Sequence, residues 1–364
     1  MTNKNWPDGS RILCVRLDNL GDVLMTTPAF QAMKSAWPNC QLTLLTSSAG
    51  AGVGRYVPAI DAVIRFDVPW VQGGDNEPEA IVDMANELKK QHFDAAVVFT
   101  VQSQNPLPAA MLCYLAGIPK VLGYCRENPY QLMTNWVPDP EVLVATRHEV
   151  DRQLALVETV GCQRPNDLRL QLRIEENDRQ TARELLERYG LDAARPWLIL
   201  HPGVSEAKRR YPADQFAAVA RTLIDEHDYQ LVLTGTADEY ELAESIRRKL
   251  GGRAINVAGG LSLGQFIALV ADAPVLLSNN TGPVHIAAAV QTPVVVVYAK
   301  TNPQHTPWNV PSQVLYTNVP SELRSRNVLL QHFPEPAEPM ASPEAIVEAV
   351  LRLATSSLSL ACGA

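Results

Sequence analysis

Residues 11–30, RILCVRLDNLGDVLMTTPAF, decide the fold class of this chain. The run 11–17 is mostly apolar and predicts a buried strand, and over 21–34 the apolar residues then recur at helical spacing. The chain therefore opens as strand, loop and helix. Short apolar runs and helical segments continue to alternate, which is typical of parallel sheets covered by helices on both faces.

This alternating pattern occurs twice. In the first half it predicts strands at 11–17, 41–46, 62–66 and 95–100 and helices at 21–34, 77–90, 106–116 and 148–160. Residues 161–172 contain proline, asparagine and aspartate with weak periodicity, which predicts a domain boundary. The second half predicts strands at 197–201, 230–234, 255–257, 275–278 and 294–298, with helices between them and at 175–189, 214–226 and 343–354.

We therefore expect two α/β domains, 1–172 and 173–354, since 364 residues exceed the size at which one core usually stops growing. Residues 302–342 are rich in proline and predict a long surface excursion, and 355–364 predict a disordered tail. Two such domains make a cleft, and ligands on parallel sheets lie beyond the carboxyl ends of the strands. Functional residues are expected in the loops after strands.

The composition excludes several classes of protein. The net charge of −8 argues against a nucleic-acid binder, because such proteins need a basic excess. The six cysteines lack CxxC or CxxH spacing, which favours reduced thiols, no structural zinc and no cofactor. The polar start and the lack of a run of roughly 18 apolar residues favour a cytoplasmic protein, at most peripheral at the inner face of the plasma membrane.

The strongest motif is SNNTGPVH, residues 278–285, between a predicted buried strand and an alanine-rich helix. Such a turn offers backbone N–H groups and the positive end of a helix dipole to a diphosphate. Gly282 lets a ligand approach the backbone closely, and Asn280 and Thr281 are candidate hydrogen-bond donors. The alternative is an ordinary turn in which Asn280 or Thr281 only caps the helix.

The second motif is HPGVSEAKRRYP, residues 201–212, again directly after a strand. Its cations Lys208, Arg209 and Arg210 are candidates to hold a diphosphate and to stabilise charge on a leaving group. Gly203 and Ser205 belong to the same candidate binding loop. The alternative is a solvated loop, because most Lys and Arg side chains are simply exposed.

A third candidate is Asp22, which follows Gly21 at the start of the first helix. An aspartate there is commonly a cap or a dipole partner. Its place beyond the first strand also directs it toward the cleft, where it would act as a general base on a hydroxyl.

Several familiar motifs are missing. GAGVG at 50–54 follows the second strand and is continued by Arg55, so the dinucleotide fingerprint fails. The chain has no P-loop, no GxSxG elbow and no DxD, and the near miss Asp139-Pro140-Glu141 lies in a proline-bounded loop. A metal-dependent mechanism is disfavoured.

The chain resembles glycosyltransferase family 9, whose best-known members are the ADP-heptose:lipopolysaccharide heptosyltransferases. The resemblance runs over nearly the whole chain and rests on the order and spacing of segments 11–30, 116–124, 148–161, 201–212, 233–239 and 277–289. It implies an α/β GT-B fold, two Rossmann-like parallel-sheet domains facing across a cleft, with an N-terminal acceptor domain and a C-terminal donor domain. It also implies metal-independent, inverting transfer from a nucleoside-diphosphate sugar.

The resemblance assigns roles to individual residues. Asp22 matches the catalytic base. Lys208 matches the donor-phosphate lysine when counted from His201, whereas Arg209 matches when counted back from Tyr211-Pro212, so both stay open. The remaining donor-site positions are the diphosphate turn at Thr281, Gly282, Pro283 and His285, and an acidic partner for the ribose hydroxyls at Asp238 or Glu239.

The acceptor half is less informative. One candidate is Gly21, beside the base. The others are four arginines that would contact phosphates of a lipid-linked acceptor: Arg55, Arg126, Arg147 and Arg152. The alternative is that each arginine is a surface charge.

One position departs from the family pattern. The family commonly has Asp-Thr-Gly where this chain has Asn280-Thr281-Gly282, and the aspartate contacts the transferred sugar in heptosyltransferases. The resemblance implies transfer of heptose or a related sugar, from ADP-heptose or a similar donor to a glycolipid or glycan acceptor, in lipopolysaccharide or cell-surface glycan synthesis. Asn280 leaves the donor sugar open. The alternatives are a sugar-nucleotide epimerase of GT-B architecture and an inactive sugar-nucleotide-binding protein.

Overall fold

The computed structural model describes residues 6, 8–71, 77–139, 147–299, 303–317 and 340–361, without the side chains of 303 and 356–361. The chain divides into two compact units, Met1–Arg173 and Ile174–Ala364. Within the described ranges, no helix is both long and apolar enough to cross a bilayer. Five cysteines are buried free thiols, and Cys362 lies outside the described residues.

The first unit is a parallel sheet of six strands in the order β3-β2-β1-β4-β5-β6. Its central strand β1 pairs with β2 on one side and β4 on the other, so its apolar residues are buried on both faces. The chain reverses direction across the sheet between β1 and β4, and ligands of such sheets bind at this switch point. Its elements are β1 Arg11–Arg16, α1 Leu20–Ala36, β2 Gln41–Thr46, α2 Ser48–Gly54, β3 Ala62–Arg65, α3 Pro78–Lys90, β4 Ala95–Val98, α4 Leu107–Leu115, β5 Val121–Cys125, β6 Asn135–Pro138 and α5 Glu149–Glu158.

The second unit repeats this plan in the order β12-β11-β10-β7-β8-β9, and all its strand pairs are parallel. Its switch point lies between β7 and β10. The elements are α6 Glu176–Arg188, β7 Trp197–His201, α7 Ala213–His227, β8 Gln230–Leu233, α8 Tyr240–Lys249, β9 Ile255–Asn256, α9 Leu263–Asp272, β10 Leu276–Asn279, α10 Gly282–Val290, β11 Val294–Ala299, β12 Ser312–Thr317 and α11 Pro343–Ala361.

Several segments differ from the sequence-based expectation, and strands β5 and β6 lie where no strand was expected. The glycine-rich run 50–54 lies in helix α2, whose first turn is capped by the Ser47 hydroxyl. Strand β12 lies inside the expected surface excursion 302–342, where it adds a half-buried edge to β11. Helix α11 continues to Ala361 instead of ending at Ala354, because no proline or glycine interrupts the chain before Gly363.

Candidate functional site

The carboxyl end of β1 carries a fully buried arginine surrounded by acids. Arg16 Nε lies 3.2 Å from Asp18 Oδ2, and its Nη2 lies 3.2 Å from Asp22 Oδ1 and 3.0 Å from Glu149 Oε1. Burial alone would lower the pKa of Arg16, but the charges of Asp18, Glu149 and Asp22 raise it above its usual range. The guanidinium therefore stays charged, as a buried charge with close partners can. We call these four residues the Arg16 cluster.

The surroundings of Asp22 are compatible with both roles that the sequence left open, helix cap and general base. Its Oδ2 accepts the backbone N–H of Asn19 at 3.3 Å, so it helps to cap α1, while its Oδ1 contacts Arg16. Its side chain is 13% exposed, which leaves the carboxylate reachable from solvent. Gly21 beside it is buried in the first turn of α1. The assignment of Asp22 as a base stays a prediction.

Asp18 and Glu149 are members of the cluster that sequence reasoning missed. Burial raises the pKa of Asp18 to about 6, against the opposing charge of Arg16. The Asp18 carboxylate accepts a hydrogen bond from the side-chain amide of Gln104, and Glu149 accepts one from Gln153 Nε2 at 2.5 Å. Their positions in the sequence could have indicated them, because Asp18 lies two residues after the end of β1 and Glu149 is the first residue of α5.

The candidate acceptor arginines have different environments. Arg152 is buried, forms a two-point ion pair with Asp139 at 2.6 and 3.0 Å and lies over the ring of Tyr124, so the surface-charge alternative is wrong for it. Its partner Asp139 follows β6, where its buried carboxylate holds Arg152. The other three arginines are exposed: Arg55, which lies over Tyr56, Arg126, which donates to the Gln102 carbonyl, and Arg147.

In the second unit, Asn279 joins the two predicted loops. It is fully buried at the end of β10, where its side-chain oxygen accepts the Tyr211 N–H at 3.1 Å and its amide donates to the Pro202 carbonyl at 2.8 Å. Strands β7 and β10 are neighbours, which brings the loop 201–212 and the turn 279–285 to the same edge of the sheet. Asn279 belongs to the motif 278–285, but the sequence did not indicate that it holds the two loops together.

The turn itself presents an accessible helix start. Thr281 occupies the N-cap position of α10, yet its side chain makes no capping hydrogen bond, which argues against the cap-only interpretation. Thr281, Gly282 and Pro283 are partly exposed, while His285 is buried. Asn280 is also buried, and its side-chain oxygen accepts the Ala299 N–H at 3.1 Å. The partly exposed residues of this turn are therefore 281–283.

The cations of the loop share one acidic partner. Glu206 contacts Lys208 Nζ and Arg209 Nη2, each at 2.7 Å, and both cations are about a quarter exposed. Burial would raise the pKa of Glu206, but the hydrogen bond from Lys208 and the charge of Arg209 outweigh it and lower that pKa. Arg210 is exposed, as is Ser205. Sequence reasoning missed Glu206 as the partner of both cations.

The structure separates Asp238 from Glu239. Asp238 is exposed, whereas the Glu239 carboxylate lies so close to Gly203 that a Cβ at Gly203 would overlap it. Glu239 Oε2 accepts the Thr236 N–H at 2.8 Å and lies 4.0 Å from His201 Nε2. Burial lowers the pKa of His201 to about 4, against the opposing charge of Glu239. Gly203 thus provides the space that brings Glu239 to the loop.

Comparison with known proteins gives a consistent result. The family model described as glycosyltransferase family 9 (heptosyltransferase) matches residues 81–330. Lipopolysaccharide heptosyltransferase 2 of Escherichia coli is 26% identical over 309 residues, which cover 82% of this chain and 85% of that protein. Lipooligosaccharide heptosyltransferase 2 of Haemophilus influenzae is 26% identical over 310 residues, covering 81% and 85%.

Two solved structures share the fold along almost the entire chain. A family 9 glycosyl transferase from Veillonella parvula has a TM-score of 0.80 and 23% identity, covering 96% of this chain and 99% of its own. The Escherichia coli ADP-heptose lps heptosyltransferase II has a TM-score of 0.74 and 21% identity, with the same coverage. The prediction of an α/β GT-B fold built from two Rossmann-like units is confirmed.

Proposed function

The chain belongs to glycosyltransferase family 9, and on that premise we propose that it moves a heptose-type sugar from a nucleoside-diphosphate donor to a glycolipid hydroxyl. The donor binds the second unit and the acceptor binds the first. The family match favours transfer over the epimerase and the inactive binding protein. ADP-heptose and a lipopolysaccharide acceptor are the substrates suggested by the printed names of the relatives.

The observation that carries this proposal is the pair of hydrogen bonds made by Asn279. They fix the loop 201–212 against the turn 279–285, so that Lys208, Arg209 and the N-terminal end of α10 belong to one edge of one sheet. Two cations and a helix start together suit a diphosphate. Of the two acidic candidates for the ribose hydroxyls, Glu239 lies against Gly203 of the loop and is therefore better placed than Asp238.

The chemistry follows from these groups. The Asp22 carboxylate accepts the proton of the acceptor hydroxyl, whose oxygen attacks the anomeric carbon of the donor from the face opposite the diphosphate. The bond from that carbon to the phosphate oxygen breaks, and the configuration inverts. Lys208, Arg209 and the backbone of residues 281–283 stabilise the charge that builds on the departing nucleoside diphosphate. Although Asp22 already accepts from Arg16 and Asn19, each carboxylate oxygen has two lone pairs.

A ligand screen tests the donor assignment. Thermal unfolding is followed with ADP-heptose, a GDP-sugar and a UDP-sugar, because a ligand that binds the folded state raises its melting temperature. The stabilising donor is then incubated with lipopolysaccharide from a heptose-deficient strain, and release of nucleoside diphosphate is measured with and without EDTA. We expect stabilisation by ADP-heptose and release that EDTA leaves unchanged. Absence of stabilisation by all three donors contradicts the proposal.

A further inference from the structure

A cavity of about 230 Å³ opens at the switch point of the first sheet, beyond the carboxyl ends of β1 and β4. One wall is the apolar surface of β1, β4 and α4. Trp70 also lines the cavity, and the polar residues Thr100, Ser103, Gln104 and Asn105 complete the lining. None of the twelve residues that line it is charged.

The cavity is connected to the predicted base by direct contacts. Gln104, which lines it, donates through its amide to Asp18. Asp18 pairs with Arg16, whose guanidinium contacts Asp22. A molecule in the cavity therefore lies beside the Arg16 cluster, where three carboxylates surround one guanidinium.

This surrounding disfavours an anionic ligand. A phosphate in the cavity would lose water, would meet no cation among the lining residues and would be repelled by the neighbouring carboxylates. Arg152 donates to the carbonyl of the lining residue Thr100, but its charge is already paired with Asp139. A neutral sugar fits, because amides and hydroxyls pair with its hydroxyl groups and the face of an indole suits the C–H face of a sugar ring. Pockets for drug-sized ligands measure about 300–1,000 Å³, so this smaller cavity suits a single ring.

We propose that this cavity binds an uncharged sugar ring of the acceptor, with Trp70 as the surface on which the ring stacks. The inference rests on the proposed function, because it names the part of the acceptor that the first unit recognises. Phosphate groups of the acceptor then lie outside the cavity.

Saturation-transfer NMR on the full-length protein tests this with two probes that share a ring, methyl α-mannopyranoside and mannose 6-phosphate. Trp70→Leu keeps an apolar side chain but removes the aromatic face, and Trp136→Leu is the matched control, since Trp136 lies on β6 outside the cavity and is 39% exposed. We expect a mannoside signal in the wild type and in the control, at least threefold weaker in Trp70→Leu and partly restored in Trp70→Phe. Mannose 6-phosphate should give a weaker signal than the mannoside.

An unchanged signal in Trp70→Leu, a stronger signal from the phosphorylated probe, or no wild-type signal overturns the proposal. Kinetics then separate it from the proposed function. If transfer occurs and Trp70→Leu leaves the KM for acceptor unchanged, the cavity assignment fails while the transferase stands. If the mannoside binds at Trp70 but no donor stabilises the protein, the cavity stands and the transferase assignment fails.

Discussion

The side-chain oxygen of Asn279 accepts the backbone N–H of Tyr211 at 3.1 Å, although 68 positions separate the two residues. With its second bond, to the Pro202 carbonyl, Asn279 determines where the cationic loop lies relative to the start of α10. Tyr211 adds a further long-range contact, because its hydroxyl donates to the Ala341 carbonyl at 2.6 Å.

Substituting Asn279→Leu should therefore weaken both folding and donor binding. It leaves a buried N–H and a buried C=O without partners, and each such loss costs about 1–3 kcal/mol. We expect a lower urea midpoint and at least tenfold weaker ADP binding by calorimetry. Asn256→Ala is the control, because Asn256 lies in the edge strand β9 and hydrogen-bonds Glu244. ADP binding that remains at wild-type strength in Asn279→Leu would show that the loop is positioned by other contacts.

Glu206→Gln should strengthen donor binding. In the wild type the diphosphate competes with the Glu206 carboxylate for Lys208 and Arg209. Partly exposed ion pairs are worth about 0.2–1 kcal/mol each, so removing two of them should lower the Kd for ADP by about twofold to thirtyfold. Glu244→Gln, which breaks the comparable pair with Arg247 on α8, should leave the Kd unchanged. Weaker binding in Glu206→Gln would mean that Glu206 orients the cations for the ligand.

The two cations should contribute unequally. Burial raises the pKa of Tyr298 on β11, and the charge of Arg209 opposes that rise. The turn 207–209 also packs against β11, so Arg209 lies on the side of the loop where Asn280 binds the Ala299 N–H. We expect Arg209→Ala to weaken ADP binding more than Lys208→Ala, with the exposed Arg210→Ala near wild type. Calorimetry of ADP binding to the three variants at one salt concentration tests this ranking. Equal effects of Arg210→Ala and Arg209→Ala would contradict this ranking.

Asp22→Asn should remove turnover while keeping the donor site. A side-chain amide oxygen can still accept the Asn19 N–H, so the start of α1 is preserved, but the amide cannot take up a proton. Loss of a general base typically costs about 10²–10⁴-fold. We expect a fall of this size in kcat and an unchanged thermal shift with ADP. Full turnover in the variant would refute the role of Asp22 as base.

Asp18 should make folding stability fall as pH rises from about 4 to about 6. Its pKa is raised by burial from 3.8 to about 6, so the folded state binds more protons than the unfolded state in that window. Asp18→Asn should remove this contribution and gain about 1–3 kcal/mol at pH 7 relative to wild type, a net figure that already includes the attraction between Arg16 and the Asp18 carboxylate. His201 has the opposite sign, because burial lowers its pKa to about 4.

The difference between wild type and Asp18→Asn isolates the Asp18 contribution, since His201 is common to both. Urea unfolding at pH 4.5, 6 and 7.5 measures it. A difference that does not change with pH would show that Asp18 titrates near its ordinary pKa.

The sequence predicted the elements whose patterns are local. The apolar run of β1 and the helical spacing of α1 are visible in residues 11–30 because a strand buried on both faces and a packed helix each need their own periodicity. Strand β12 was missed because it is a half-buried edge strand after a proline-rich stretch. The motifs at 201–212 and 278–285 were recognised because they too are local patterns, each at the end of a predicted strand.

What the sequence by itself determined was the α/β fold with two repeating units, the family, and the loops in which the candidate groups lie. Only the tertiary structure decided which of those groups meet. Arg16 and Glu149 are 133 positions apart, and Asn279 and Pro202 are 77 apart. Arg16 meets Glu149 because α5 packs against α1, the helix that follows β1, and Asn279 meets Pro202 because β7 lies beside β10. Both arrangements follow from how the elements pack, and no local pattern in the chain encodes them.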